Sequence, residues 1–170
     1  GLKKLGGERK IEALCTASIS DTFHFLPSLD SISKDLSSRD LVIKVNTQRT
    51  NLDKVSYSLK DGFLELYITP VSSGFADNDI SHSLGKPNID LLITLDCGEL
   101  PRIGRLYDEE KDFLATIPII NIDHHQGNTM FGQVNFVDTG AAATAQLLYQ
   151  LLLFMEITPD QPIATALLTG

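Results

Sequence analysis

Two apolar runs of the kind that form buried strands each end in side chains capable of metal chemistry. One run ends at residue 95 and is followed by Asp96; the other ends at residue 122 and is followed by Asp123, His124 and His125. Open α/β sheets bind ligands beyond the carboxyl ends of their parallel strands, so we expect both groups to line one crevice. Carboxylate oxygens combined with imidazole nitrogens suit Mn²⁺, Mg²⁺ or a similar ion better than they suit a structural zinc site.

Each group also has a purely structural interpretation. Asp96 could cap a helix that starts near Glu99, because Asp is among the preferred N-cap residues. His124 and His125 could simply form a turn, since successive side chains on an extended strand diverge. The tripeptide Gln126-Gly127-Asn128 supplies a bend that would bring both imidazoles to one ion. Spacing alone leaves these alternatives open.

The elements that must position these residues are mostly strands. Segments rich in β-branched or alternating apolar residues predict strands at residues 11–15, 41–46, 54–59, 63–69, 91–95 and 117–122. The last two are apolar on both faces, which is typical of parallel strands buried between helices. In residues 54–59 and 63–69 apolar and polar side chains alternate with period two on either side of Asp61-Gly62. This pattern predicts a β-hairpin with one solvent-exposed face.

Helices are predicted over residues 99–114, with a break near Asp108, over residues 141–155, and from Pro159 onward with Thr158 as N-cap. Residues 71–86 are predicted to form a loop. His24 is predicted to be a packed or edge-strand histidine rather than a ligand, and His82 a solvated loop or helix residue. The fold class is therefore α/β, with a mostly parallel sheet flanked by helices and a β-hairpin.

Composition excludes several classes of protein. The chain has 170 residues, 42% of them hydrophobic, and a formal net charge of −8, which is typical of a globular domain and disfavours binding to duplex DNA. The longest apolar run, residues 147–157, is too short to span a bilayer, so no membrane association is expected. Cys15 and Cys97 lack metal or redox spacing, which indicates free thiols in a reducing compartment, the cytoplasm.

Residues 119–128, continued by residues 131–138 and the Ala-rich start of the next helix, resemble the third motif region of the DHH phosphoesterases. The nanoRNase and 3′-phosphoadenosine-5′-phosphate phosphatase branch is the nearest match. Residues 95–98 are similar to the second motif of that family, and residues 23–27 resemble a segment that follows its second strand. The resemblance covers most of the chain.

The resemblance implies a hydrolase in which two divalent ions, Mn²⁺ or Mg²⁺, activate a water molecule against a phosphoester. It assigns Asp96 and His124 as metal ligands, Asp123 as the residue that orients them, and His125 as a contact to the substrate phosphate. The implied substrates are short oligoribonucleotides or nucleotide phosphates, and the implied assembly is a homodimer. A catalytically degenerate DHH-like domain that binds a nucleotide as a regulator is the alternative function. A Rossmann-like nucleotide-binding module ranks third, because Gly-x-Gly-x-x-Gly follows none of the strands.

The family pattern extends beyond this sequence at both ends. The first motif of the family would precede Gly1, and the fourth motif and the substrate-binding domain would follow Gly170. The sequence patterns at the two ends agree with this extension of the family pattern. A helix end is predicted at residues 2–7, and the helix predicted from Pro159 has no stop signal before Gly170. We therefore expect residues 1–170 to be a partial DHH catalytic domain, inactive on its own, with a hairpin insertion at residues 41–71.

Overall fold

The computed structural model describes residues 10–36 and 39–170. The helix end predicted at residues 2–7 lies outside the described residues. The strands are β1 (Ala13–Leu14), β2 (Ile32–Ser33), β3 (Arg39–Val45), β4 (Leu52–Lys60), β5 (Phe63–Pro70), β6 (Ile80–Pro87), β7 (Leu92–Leu95), β8 (Ile119–Asp123) and β9 (Val134–Val137). The helices are α1 (Arg105–Leu114), α2 (Thr144–Phe154) and α3 (Gln161–Thr169), together with short 3-10 turns.

The chain divides into two compact units. The first, called here the site unit, comprises Pro87–Gly170 and the described residues before Arg39. The second, called the ribbon unit, comprises Arg39–Lys86. It contains the predicted insertion at residues 41–71 and extends beyond it on both sides.

A three-stranded parallel sheet in the order β7-β8-β9 forms the centre of the site unit. The apolar runs of β7 and β8 lie where the sequence predicted them, with Leu95 opposite Ile122. Ile122, Ala141 and Leu147 form the buried core, so α2 packs against β8 through its apolar side. Burial of these side chains fixes the position of the sheet edge that follows Leu95 and Asp123.

Two helices differ in detail from the sequence prediction. The predicted helix over residues 99–114 has a kink at Glu110, close to the predicted break near Asp108. It is also interrupted at Gly104, whose φ of 71° is left-handed, so a 3-10 turn at Leu100–Ile103 precedes α1. The predicted start of the last helix is wrong. The carboxylate of Asp160, rather than Thr158, caps α3 by accepting a 3.1 Å hydrogen bond from the backbone N–H of Ile163.

The ribbon unit consists of two pairs of strands. β4 and β5 are antiparallel and are joined by Asp61 and Gly62, both with positive φ, as tight hairpin turns require. β3 pairs with β6, and the N–H of Asn46 donates to the carbonyl of Asp79 at 2.8 Å. The loop predicted at residues 71–86 is therefore wrong from Ile80 onward, where β6 begins and pairing with β3 outweighs the weak strand preference of Ser, His and Gly.

The mixed α/β class is confirmed, but a single mostly parallel sheet is not what the described residues form. They form four small sheets, of which β1-β2 and β7-β8-β9 are parallel. The strand predicted at residues 11–15 shortens to Ala13–Leu14. Cys15 and Cys97 are free thiols, as predicted. Within residues 10–36 and 39–170, we find no helix with the length and apolar character needed to cross a membrane.

Candidate metal centre

The predicted site residues meet at one edge of the parallel sheet. Asp96 directly follows β7, and its N–H donates to the carbonyl of Ile122 at 3.0 Å, which ties it to the end of β8. Asp96 has a φ of 56°, a left-handed conformation that is uncommon for a residue with a side chain. Such conformations persist where the surrounding structure holds them, and they cluster at functional sites.

One carboxylate and two imidazoles form a compact cluster here. Ligand atoms of Asp96, His124 and His125 all lie within 4.8 Å of one another. Oδ1 of Asp96 is 3.5 Å from Nε2 of His124 and 3.9 Å from Nδ1 of His125. This is the group of potential metal ligands that the described part of the chain brings together. Its mixture of oxygen and nitrogen donors suits Mn²⁺ or a similar ion.

A backbone carbonyl in the segment between β9 and α2 sets the tautomer of His124. Nδ1 of His124 lies 3.2 Å from the carbonyl oxygen of Ala141. A carbonyl can only accept, so we assign the proton to Nδ1, which leaves the lone pair of Nε2 directed to the side of Asp96. A hydrogen bond of this kind from the second ring nitrogen is the usual support of a metal-binding histidine.

Asp123 is fully buried and holds His125. Nδ1 of His125 donates to Oδ1 of Asp123 at 2.7 Å. Burial raises the pKa of Asp123, but hydrogen bonds from His125, from Asn128 and from backbone N–H groups outweigh it, so the pKa lies below its ordinary value. The same hydrogen bond, with the negative charge of Asp123, raises the pKa of His125.

Asn128 joins the two strand ends, a role that the sequence analysis did not identify. Its amide nitrogen donates to Oδ2 of Asp123 at 2.6 Å and to the carbonyl of Cys97 at 3.3 Å. Its amide oxygen accepts from Nδ2 of Asn121 at 3.0 Å and from the N–H of Met130 at 2.7 Å. Both oxygens of the buried Asp123 are therefore hydrogen-bonded. The only sequence signal for Asn128 was its place in the bend after His125.

Thr144, at the start of α2, was also missed. Its hydroxyl donates to Oδ1 of Asp96 at 2.7 Å.

The N-cap positions of the 3-10 turn and of α1 are Glu99 and Gly104, so the interpretation of Asp96 as a helix cap is wrong. Burial raises the pKa of the neighbouring Cys97 thiol, which donates to the carbonyl of Glu99 at 3.1 Å.

The remaining histidines lie apart from the cluster. His24 follows a 3-10 turn, is largely exposed and lies 3.6 Å from Asp21. It is therefore neither packed nor on an edge strand, the two positions predicted for it. His82 is exposed as predicted, although it lies on β6 rather than in a loop or helix.

This chain is similar to a known protein family over most of its length. The sequence profile of the DHH family, N-terminal domain, matches residues 12–170. A curated relative, the bifunctional oligoribonuclease and PAP phosphatase NrnA of Thermus thermophilus, is 44% identical over 52 residues. The matched stretch makes up 31% of this chain and 16% of that relative, so the match spans only a small part of the relative's length.

Proposed function

Since this chain belongs to the DHH family, we propose that it is the catalytic domain of a metal-dependent phosphoesterase. The observation that carries the proposal is the cluster of Asp96, His124 and His125 at the carboxyl edge of β7 and β8. This edge is the usual place for ligands in parallel sheets. The family and the relative support phosphoester hydrolysis as the reaction, and we propose the cluster as the site where it occurs.

The donor set fits a divalent cation. Asp96 offers a carboxylate oxygen, and His124 offers Nε2, whose lone pair is freed by the contact between Nδ1 and the carbonyl of Ala141. We therefore assign Asp96 and His124 as metal ligands. A bound Mn²⁺ or Mg²⁺ supplies an acidified water and neutralises phosphate charge. Thr144 holds the carboxylate of Asp96 in place through its hydroxyl.

Asp123 and His125 have a different role in this proposal. Asp123 is buried and accepts from Nδ1 of His125, so it fixes the orientation of the imidazole. Nε2 is then the ring atom of His125 left for the substrate, and we assign it a contact to a phosphate oxygen. Orientation of this kind reduces the entropy lost when the substrate and the attacking water meet.

The proposed substrates are short oligoribonucleotides or nucleotide phosphates, the two kinds of substrate in the name of the relative. The net charge of −8 disfavours long duplexes, which bind chiefly through Lys and Arg. A small anion can still bind where a cation offsets the surrounding acidic charge. We also propose the cytoplasm as the compartment, because the free thiols of Cys15 and Cys97 suit reducing conditions.

Two ions are proposed for the complete domain. Asp96 and His124 supply one carboxylate and one imidazole, and within the described residues no further acidic group joins their cluster. A second ion would need ligands from another part of the full-length protein. We therefore propose that residues 1–170 alone are inactive. Separately, we propose that residues 41–71 are an insertion in the family fold.

The test is hydrolysis of a short RNA and of a nucleotide 3′,5′-bisphosphate by the full-length protein, with Mn²⁺ added and then chelated. We expect Asp96→Asn and His124→Ala to lower kcat/KM at least about 100-fold and to weaken Mn²⁺ binding, while the melting temperature of the metal-free protein stays the same. Calorimetric titration with Mn²⁺ measures binding independently of activity.

Matched controls use the same residue types away from the cluster. Asp90 is exposed and precedes β7 at its opposite end, and His82 is exposed on β6. Asp90→Asn and His82→Ala should retain wild-type activity and Mn²⁺ affinity. Unchanged turnover after exhaustive chelation would contradict the metal-dependent mechanism. Tight nucleotide binding without any hydrolysis would instead support the regulatory, degenerate alternative.

A further inference from the structure

The peptide unit that joins Ala141 to Ala142, between β9 and α2, is hydrogen-bonded at both ends. Its carbonyl oxygen lies 3.2 Å from Nδ1 of His124, and its N–H donates to Oε1 of Gln146 at 3.0 Å. A trans peptide is planar, so its N–H and its C=O point in opposite directions and rotate together. The contact with Gln146 therefore helps to set the direction in which the carbonyl of Ala141 faces His124.

The position of Ala141 and the direction of its carbonyl are fixed by different contacts. The methyl group of Ala141 is buried with Ile122 and Leu147, which fixes where the residue lies. A single methyl does not prevent rotation of the peptide unit that follows it, and that unit leads to Ala142, which is exposed. Hydrogen bonds to the N–H and the C=O hold a peptide unit in one direction. Gln146 supplies the hydrogen bond at the N–H end.

Helix capping is the ordinary role of a glutamine in the first turn of a helix. Gln146 is the third residue of α2, where Gln or Glu commonly accepts a hydrogen bond from the N–H of the N-cap residue. The N-cap residue of α2 is Ala143. Gln146 accepts instead from the N–H of Ala142, one residue earlier. Its side chain thus reaches the peptide unit that contacts His124.

The two hydrogen bonds of this peptide unit also strengthen each other. An acceptor on the N–H polarises the amide and increases the negative charge on its carbonyl oxygen. The carbonyl of Ala141 then accepts more strongly from the Nδ1–H of His124. With the proton held on Nδ1, the lone pair of Nε2 is free, and Nε2 lies 3.5 Å from Oδ1 of Asp96.

We propose that Gln146 is a positioning residue for His124. Through the peptide unit between Ala141 and Ala142, it holds the imidazole in the tautomer and orientation that present Nε2 to a divalent cation. This inference rests on the proposed function only in treating His124 as a metal ligand. The link from Gln146 to the tautomer of His124 can be measured without metal or substrate, so its failure is distinguishable from failure of the proposed function.

Four substitutions on one helix separate positioning from capping and from charge. Gln146→Leu removes the acceptor but keeps a residue with good helix preference, whereas Gln146→Glu keeps an oxygen that can accept from the N–H of Ala142. Gln150 is the matched control, because it is also exposed and lies one turn further along α2. Gln150→Leu and Gln150→Glu make the same changes in polarity and charge away from that peptide unit.

The first measurement is nitrogen–proton correlation NMR of the imidazoles in the metal-free, full-length protein, at a pH where they are neutral. The signals of His124 are those that disappear in His124→Ala. We expect the proton on Nδ1 of His124 in the wild type, in Gln146→Glu and in both Gln150 variants. In Gln146→Leu the two ring-nitrogen shifts should move towards the average of the two tautomers, because the carbonyl of Ala141 is no longer held.

The second measurement is calorimetric titration of the same proteins with Mn²⁺. We expect Gln146→Leu to weaken binding about 10-fold, the lower end of the range for residues that support metal-binding histidines. Gln146→Glu and the two Gln150 variants should bind Mn²⁺ like the wild type, and circular dichroism confirms that each variant is folded. In the wild type alone, the amide of Ala142 should be protected from hydrogen exchange although the residue is exposed.

Three results would overturn the proposal. One is a wild-type protein in which His124 carries its proton on Nε2 or the amide of Ala142 exchanges freely. Another is a Gln146→Leu variant that matches Gln150→Leu in tautomer or in Mn²⁺ affinity, because Gln146 would then only cap α2. The third is a Gln146→Glu variant as impaired as Gln146→Leu, since the accepting oxygen would then not be the feature that matters. A wild type that binds no Mn²⁺ would contradict the proposed function, while the tautomer comparison would still test Gln146.

Discussion

At the scale of single residues, the candidate site depends on hydrogen bonds from side chains that lie outside the cluster of Asp96, His124 and His125. Asp123 is buried, and its two oxygens are bonded to His125 and to Asn128. Asn128 in turn is bonded to Asn121, whose amide oxygen accepts from the hydroxyl of Thr94 at 3.2 Å. Every buried side-chain nitrogen or oxygen in the described part of the chain has a partner. A buried network that is fully satisfied holds its members in one arrangement.

The first residue-scale prediction concerns Asn128. Asn128→Ala leaves Oδ2 of Asp123 and Nδ2 of Asn121 without their partner, which should cost about 1–3 kcal/mol of unfolding free energy. Loss of a residue that orients a metal site should also weaken Mn²⁺ binding by roughly 10–100-fold. Denaturant unfolding and calorimetric titration of the full-length protein measure the two effects separately.

Asn88→Ala is the control, because Asn88 is exposed outside any helix or strand. It should change neither stability nor Mn²⁺ affinity. A variant at Asn128 that loses stability but binds Mn²⁺ as tightly as the wild type would show that Asn128 supports the fold without positioning the site.

The sequence predicted the residues of the cluster and Asp123 beside them, but not Asn128 and Thr144, which also support them. Asp96, His124 and His125 could be placed because each follows an apolar strand, and parallel strands end at one edge. Asn128 and Thr144 act through contacts with residues 5 and 48 positions away, and neither distance corresponds to a helix or strand repeat. Only the folded chain shows which amide reaches the carboxylate of Asp123 and which hydroxyl reaches that of Asp96.

At the scale of elements, the strength of the apolar pattern decides what could be predicted. β7 and β8 were predicted to within two residues because both have continuous apolar runs. The burial expected on both faces holds for most of β8, whereas in β7 only Thr94 is buried and Leu95 is half exposed. β6 was missed because Ser81, His82, Ser83 and Gly85 have weak strand preference, and its pairing with β3 joins residues far apart in sequence. Short, polar elements thus depend on tertiary contacts that local patterns do not contain.

The connection between β8 and β9 gives the prediction at this scale. A Cβ at Gly132 would lie 2.7 Å from the carbonyl oxygen of Val134 and 2.9 Å from that of Ile119. Both are backbone atoms at the start of the sheet strands, so they cannot move without distorting the strands. We expect Gly132→Ala to lower the unfolding free energy by about 1–3 kcal/mol, as overpacking does. Denaturant unfolding gives this value directly.

Gly127 is the matched control for Gly132. It lies in the bend after His125, and a Cβ there meets no atom within 4 Å. Gly127→Ala should therefore leave stability the same or raise it slightly, because alanine restricts the unfolded chain. Equal destabilisation by both substitutions would contradict the argument from close approach at Gly132.

At the scale of the whole molecule, the two units differ in what stabilises them. The site unit buries Leu114, Ile119, Ile122 and Leu147 around its parallel sheet. In the ribbon unit, whose residues are all described, the fully buried side chains are polar. Hydrophobic burial is the main favourable term in folding. The site unit should therefore open less readily than the ribbon unit.

Hydrogen exchange with and without Mn²⁺ tests this difference. In the full-length protein, amides of β4 and β5 should exchange faster than those of β8. Ligand that binds the folded site stabilises only the unit that holds it, so Mn²⁺ should slow exchange in β7 and β8 and leave β4 and β5 unaffected. Asp96→Asn should abolish the slowing. Equal slowing in both units would mean that they open together, which would contradict their separate stabilities.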